Sequence, residues 1–389
     1  MLVRRFVIAS LMLLAGVIGA LPAQAAANQF SPLEAVLNKA ISDSVFPGAS
    51  VAVLYKGKIV FHKAFGRMTF SRTSSPVETT TIYDLASLTK AIATTSVVMQ
   101  LVERDSLALD APVAHYLPDF GKNGKERVTL EQLLRHTSGL RAHRFFAQHC
   151  TTPDELFTAI NDDSLLTTPD TTTLYSDLGF MLLGKIIERI TGTSLASNFN
   201  ERFAKPLGME STIFTPPPSL LPRIAPVEKD TLWRFRRDRP LVHDQNAALL
   251  GGVAGHAGLY GTTGDLLRMS AMLLNGGMLD GERFFKKTTL DRFLARGKTP
   301  RAMGWDLYSL DGHSSAGDFL SRSAFGHLGF TGTSIWIDPE QELAVILLSN
   351  RVYPTSENIK IRTFRPLFHN TVARCLGLPL RRTAPPSER

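Results

Sequence analysis

The sequence predicts an α/β (α+β) fold: one antiparallel sheet flanked by helices, built from both ends of the chain, with a mainly helical region inserted between. Three observations predict it. β-Branched runs flank Lys56-Gly57 near the start, a second pair flanks Asp338-Pro339-Glu340-Gln341 near the end, and helical periodicity fills the stretch between. The sheet region takes about 31–85 and 300–376, and the helical region about 86–299, in one domain over 26–389.

Ser31 to Val45 reads as a helix, with Leu33, Val36, Leu37 and Ile41 at helical spacing and Ser31 and Glu34 at capping-box spacing. Gly48 to Arg67 reads as two strands and a tight turn. From Leu85 the pattern is helical, with Leu88, Ile92, Val97, Leu101 and Val102 on one broad face. Thr129 to His136 is a further helix, boxed by Thr129 and Gln132, with Gly139 where it would stop. Ser176 to Ile190 follows, ending before Gly192. Thr215 to Pro240 is rich in proline and charge and reads as a surface loop. A glycine-rich stretch, Gly251 to Gly264, leads into a helix over Asp265 to Leu274. Strands over Thr331–Ile337 and Leu343–Leu348 and a closing helix over Ser356–Leu376 complete the chain.

The 389 residues carry 44% hydrophobic and 20% charged side chains, as a globular protein with a real core does. Residues 1–25 have the three parts of a secretory signal peptide: Arg4-Arg5, an apolar run to Leu21, and Ala23-Gln24-Ala25 as a small-x-small cleavage site. An uncleaved anchor is the alternative, but the run is short for spanning a bilayer. A periplasmic protein with no integral membrane segment after cleavage is expected. Cys150 and Cys375 would meet an oxidising compartment, yet they lie far apart in sequence and are read as two separate thiols. The net charge of +8 is partly local, in Arg234, Arg236, Arg237 and Arg239 and in Arg381, Arg382 and Arg389. It suits work beside anionic wall polymers or lipid head groups, although a solvated basic loop is the better explanation. No motif supports nucleic-acid binding.

Three constellations carry chemistry. Ser87-Leu88-Thr89-Lys90 puts a hydroxyl and an amine one helical turn apart, so the amine can reach the serine, which needs a nearby base to act as a nucleophile. A lysine buried beside other cations loses its charge and can be that base. Tyr175-Ser176-Asp177 sits at a helix start, where a phenol near a lysine can relay protons, or where Ser176 or Asp177 is only a cap. Gly326-His327-Leu328-Gly329-Phe330-Thr331-Gly332 opens a strand whose glycines admit a substrate to the backbone, with His327 able to donate a hydrogen bond. His143, His149 and Cys150 fit no common metal-site spacing, and no Gly-x-Ser-x-Gly elbow is present.

Taken in this order, the three motifs resemble the penicillin-recognising serine hydrolases: class C β-lactamases, D-alanyl-D-alanine carboxypeptidases and their esterase relatives. Leu133 to Leu140 and Val242-His243-Asp244-Gln245-Asn246-Ala247 running into Gly251–Gly258 are similar to the same family, and the second to its penicillin-binding-protein-like subgroup. The resemblance covers nearly the whole chain after the leader. It implies a β-lactamase/transpeptidase-like fold, a covalent acyl-enzyme on Ser87, proton handling by Lys90 and Tyr175, and an oxyanion hole from the Ser87 and Phe330 amides. It implies no metal or organic cofactor. Asp177, His327, Gly329 and His256 would border the substrate, although His256 could equally be structural. Asp177 stands where the family has asparagine, and His327 where many relatives have lysine. A carboxylate accepts but cannot donate, so recognition of an acylamino group is weakened, a substrate amine is favoured, and efficient β-lactam hydrolysis is not expected. The expected substrates are small peptides, β-lactams or esters, with cell-wall peptidoglycan as the larger partner. A non-catalytic wall-binding protein is the competing class, opposed by the intact Ser87, Lys90 and Tyr175.

Overall fold

The computed structural model describes residues 29–229, 242–310 and 314–381. The leader over 1–25, the cluster from Arg234 to Arg239, and Arg382 and Arg389 lie outside the described residues.

The chain opens with helix α1 (Ser31–Ser42) and the hairpin β1 (Gly48–Tyr55) and β2 (Lys58–Gly66). Ser31 does not cap α1: Phe30 is the N-cap, without a side-chain bond, and a proline in the first turn supplies the helical φ where no N–H is needed. A short strand β3 (Tyr83–Asp84) precedes a helical run whose second part is α2 (Ser96–Glu103). Helix α3 (Leu130–Arg135) has the full Thr129–Gln132 capping box. Its end differs from expectation: His136 itself takes the left-handed position at φ 58°. Gly139 is a glycine for another reason, because a Cβ there would lie 2.1 Å from the Thr167 carbonyl oxygen.

Helix α4 (Asp177–Thr191) starts on Ser176, whose hydroxyl accepts the Gly179 N–H, and closes on left-handed Gly192. Next come β4 (Ile213–Phe214), α5 (Gln245–Leu249), β5 (Leu259–Gly261) and α6 (Thr263–Leu274). The closing part is β6 (Asp306–Leu307), β7 (Phe325–Leu328), β8 (Ser334–Asp338), β9 (Leu343–Ser349) and α7 (Ile361–Cys375). The third constellation is therefore a strand followed by a turn: Gly326, His327 and Leu328 lie in β7, and 329–333 turn back into β8.

The six strands pair antiparallel in the order β2-β1-β9-β8-β7-β6, so the first and last parts of the chain meet at β1 and β9. Both faces of this sheet are covered. Val51, Val53 and Leu347 pack with Leu33 and Leu37 of α1 and Phe364 and Phe368 of α7. Ala52, Leu54 and Ile346 point the other way, into the core shared with the helical region. Double coverage explains why these strands read as continuous apolar runs rather than alternating ones. The antiparallel sheet from both ends and the inserted helices are as expected.

Candidate active site

The site is assembled where the helical region meets the sheet. Asp84, at the end of β3, accepts the Ala86 N–H through Oδ1 at 2.8 Å. Ala86 is left-handed at φ 47°, a conformation that costs a non-glycine residue about 1 kcal/mol or more. Ser87 follows, one residue before the helix begins, so it sits in the turn that enters the helix rather than in its first turn. From Lys90 to Thr95 the helix is a π-turn, the form that recurs at functional sites. The turn between β7 and β8 clasps this segment: Thr331 Oγ1 donates to the Asp84 carbonyl at 2.7 Å and Thr333 Oγ1 to the Leu85 carbonyl at 3.1 Å. Gly329 is needed there, since a Cβ would lie 1.9 Å from Thr333 Oγ1. The amides of Ser87 and Phe330 donate to no described residue.

Lys90 is fully buried behind Ser87. An ammonium has three hydrogens, and Lys90 Nζ has three acceptors: Ser87 Oγ at 3.0 Å, the His256 carbonyl at 3.0 Å and Asp177 Oδ1 at 2.7 Å. Burial alone would favour the neutral amine, but Asp177 and Tyr175 outweigh it and push the pKa up. The condition under which a buried lysine loses its charge, a neighbouring cation, is not what surrounds Nζ: the neighbour is the Asp177 carboxylate. Burial likewise opposes the charge of Asp177, yet Lys90 and a hydrogen bond from His143 hold that carboxyl far below its usual range. With Oδ1 on Lys90 and Oδ2 on His143, both oxygens of Asp177 are engaged inside the protein.

Tyr175 lies beside Lys90, with Nζ 5.0 Å from the ring centre. Burial pushes the phenol up, while the charge of Lys90 and hydrogen bonds to Lys90 and Ser87 pull it back. Tyr175 is placed by His136. The His136 carbonyl accepts the Leu174 N–H at 2.9 Å, its Nδ1 accepts the Ser176 N–H at 3.0 Å, and its ring centre lies 4.5 Å from that of Tyr175. An Nδ1 that accepts carries no proton, and burial holds the His136 pKa well below normal.

Ser87, Tyr175, His327, Gly329 and Phe330 open onto one cleft of about 280 Å³. Arg301, Arg351, Arg362 and Arg365 line the same cleft, with Asp306 as the acidic member. Arg301 pairs with Asp306. Arg351 and Arg365 are largely buried and bond to backbone carbonyls, including those of Phe330 and Gly329. Arg362 is exposed, with no partner among the described residues. His327 Nδ1 is 2.9 Å from the Leu328 carbonyl, so it carries the hydrogen, and Nε2 is buried without a partner. Burial lowers its pKa to about 4. Neutral His327 thus spends its one hydrogen on the Leu328 carbonyl. A larger cavity, about 430 Å³, lies elsewhere against Gln100, Arg104 and Arg202 and holds none of these groups.

The comparisons with known proteins agree with this architecture. The profile of the family described as Beta-lactamase matches residues 33–368. This chain belongs to the beta-lactamase family. Among curated relatives, an Escherichia coli O157:H7 protein named "Putative D-alanyl-D-alanine carboxypeptidase" is 30% identical over 348 residues, 79% of each chain. A penicillin-binding protein homologue from Caulobacter crescentus superposes with TM-score 0.71 at 22% identity, covering 90% of this chain and 98% of the other. A family VIII carboxylesterase superposes with TM-score 0.69 at 23% identity, covering 89% and 97%. Those two structures carry the fold alone. The protein is thus a member of a family of serine hydrolases that includes β-lactamases and carboxypeptidases.

Among the residues expected from sequence, the fold gathers Ser87, Lys90, Tyr175 and Asp177 in one cage and His327, Gly329 and Phe330 along the cleft. His256 is buried, with Nε2 2.9 Å from Asp244, and is not among the cleft-lining residues; what it gives Lys90 is a carbonyl. Cys150 and Cys375 are both free thiols. No described helix is long and apolar enough to cross a membrane. Sequence reading missed His143, the placing role of His136 and the arginines of the cleft. The family-like stretch from Leu133 to Leu140 was the one signal for His136, and no local signal marked Arg301 or Arg362.

Proposed function

We propose that this protein is a periplasmic serine acyl-hydrolase that removes the terminal residue of D-alanyl-D-alanine peptides of the cell wall. The observation that carries the reading is the cationic lining of the cleft into which Ser87 opens: four arginines against one aspartate, with Arg362 exposed. Such a wall suits a substrate that ends in a carboxylate. The relative named as a carboxypeptidase points the same way, and the three-part leader supports export.

In this reading Ser87 Oγ attacks the penultimate carbonyl carbon. The Ser87 and Phe330 amides take the developing oxyanion. Tyr175 accepts the Ser87 proton as it gives its own proton to the departing amine nitrogen, so the phenol is unchanged at the end of the step. Lys90 stays an ammonium and steadies any negative charge that gathers on Tyr175 or Ser87. The C–N bond breaks, D-alanine leaves, and water then hydrolyses the Ser87 ester by the reverse relay. No step requires a metal.

A carboxylesterase is the second reading. It is favoured by the engagement of Arg301, Arg351 and Arg365 within the protein and by neutral His327, which would grip a substrate carboxylate less firmly than lysine. The test compares D-alanine release from an N-acylated D-alanyl-D-alanine peptide with hydrolysis of a neutral p-nitrophenyl ester. Ser87→Ala should lose at least about 10³-fold on both. Arg362→Gln should raise KM for the peptide and leave the ester unaffected. Ester turnover without D-alanine release would overturn the peptidase reading in favour of the esterase.

A further inference from the structure

Three hydrogen bonds fix the loop over 141–144 to the entrance of α4 and to α5. Ser176 Oγ donates to the Arg141 carbonyl at 2.6 Å, the Asp177 N–H to the Ala142 carbonyl at 2.8 Å, and Asn246 Nδ2 to the Arg144 carbonyl at 2.8 Å. The residue presented by this scaffold is His143. Its Nδ1 lies 3.2 Å from Asp177 Oδ2, while Asp177 Oδ1 lies 2.7 Å from Lys90. A carboxylate can only accept, so His143 Nδ1 carries the hydrogen, and Nε2 is left to exchange protons with solvent on a side chain that is 47% exposed.

We propose that His143 is a positioning residue of the serine site, a clamp on the outer oxygen of Asp177 that, while neutral, leaves the inner oxygen on Lys90 and that draws Asp177 away from Lys90 when the ring gains a second proton. The inference rests on the acyl-hydrolase reading above. It depends on a carboxylate at 177, since an asparagine there would leave nothing anionic to clamp. Neutral His143 donates one hydrogen bond and leaves the whole charge of Asp177 to Lys90. Imidazolium competes for that charge and repels the ammonium. The groups facing His143 are Asp177 on α4, Asp244 at the cap of α5 and Lys90 on the π-turn; the hydrogen bond to Asp177 leads in raising its pKa, Asp244 adds to it, and burial and Lys90 oppose it. Arg144, on the same loop, is paired with Asp163. Activity should therefore rise as pH passes upward through the His143 titration.

Two variants separate a donor from a mere filler. His143→Asn keeps an N–H where Nδ1 stands but cannot titrate; His143→Ala keeps neither. On a p-nitrophenyl ester or a D-alanyl-D-alanine peptide, His143→Ala should lower kcat about tenfold, the factor that one pKa unit represents, with KM little changed. His143→Asn should recover most of kcat and show no limb between about pH 6 and 8, the range of histidine titration. Unchanged kcat and profile in His143→Ala, failure of His143→Asn to recover, or a persisting limb in His143→Asn would each overturn the clamp. If the parent turns over neither substrate, the acyl-hydrolase reading fails, and the clamp is judged by NMR titration of His143. Its pKa should fall by about one unit in Asp177→Asn, and an unchanged value would overturn the clamp.

Discussion

The two sides of Ser87 are built on opposite plans. Behind it, Lys90 has an acceptor for each hydrogen and Asp177 a partner for each oxygen. In front of it, the cleft has an exposed Phe330 ring and an exposed Arg362. The difference teaches where each kind of information is stored. A buried charge is tolerable only when paired and hydrogen-bonded, so the cage is locked together and its members depend on one another. A surface that receives substrate must keep donors and acceptors unspent, so its members are separable. Substitutions behind Ser87 should therefore cost stability as well as activity, and substitutions of the exposed groups in front should cost recognition alone.

The largest effect expected of this contrast is in Lys90→Met. It leaves the Asp177 carboxylate buried without its cation, which costs about 3–5 kcal/mol when one partner of a buried pair is removed. Urea unfolding should show that loss, and Asp177→Asn added to it should restore part, because the stranded charge is then gone. A Lys90→Met protein as stable as its parent would break the contrast at its centre.

A second effect follows from pH. His327 and His369 are buried and held at about 4 and about 3, mainly by burial, and His136 is also well below normal. In the unfolded chain each would titrate near 6.5, so below that value the unfolded state binds more protons and stability falls as pH falls. For His327 the loss runs from about pH 6.5 down to about 4 and amounts to about 3 kcal/mol at its end. Asp177, held low, contributes the same sign of dependence only below the ordinary carboxylate range. Thermal melts between pH 7 and 4 should show a steep loss, reduced in His327→Gln. Flat stability over that range would show that these rings admit water and protons without unfolding.

The same contrast sets what was legible in the sequence. The cage lies on local spacings: Ser87 and Lys90 three residues apart, Tyr175 and Asp177 two apart at a capped helix start. The sheet was legible too, because β1, β8 and β9 are compact apolar runs beside turns. What the sequence hid was tertiary. Asp177 and Lys90 are far apart in the chain, so the sign of the field at Lys90 could not be read from either motif. Ser31 has the right spacing for a cap, yet the proline after it starts the helix unaided. Arg301, Arg351, Arg362 and Arg365 come from a loop, a strand end and α7, and only the folded sheet brings them to one wall.

The smallest stability effect is expected at that wall, and it sharpens the contrast most. Arg362 is exposed and has no described partner, so Arg362→Gln removes a charge without breaking a pair. Exposed substitutions of this kind stay within about 0.5 kcal/mol, so its melting temperature should match the parent's. Its KM for a carboxylate-terminated peptide should nonetheless rise, and the rise should shrink with added salt, because an exposed guanidinium acts through a screened field. A variant that loses stability instead would place Arg362 with the buried pair Arg351 and Arg365 as part of the frame. A variant that changes neither stability nor KM would leave the hold on the substrate to the backbone, and would favour neutral esters over peptides that end in a carboxylate.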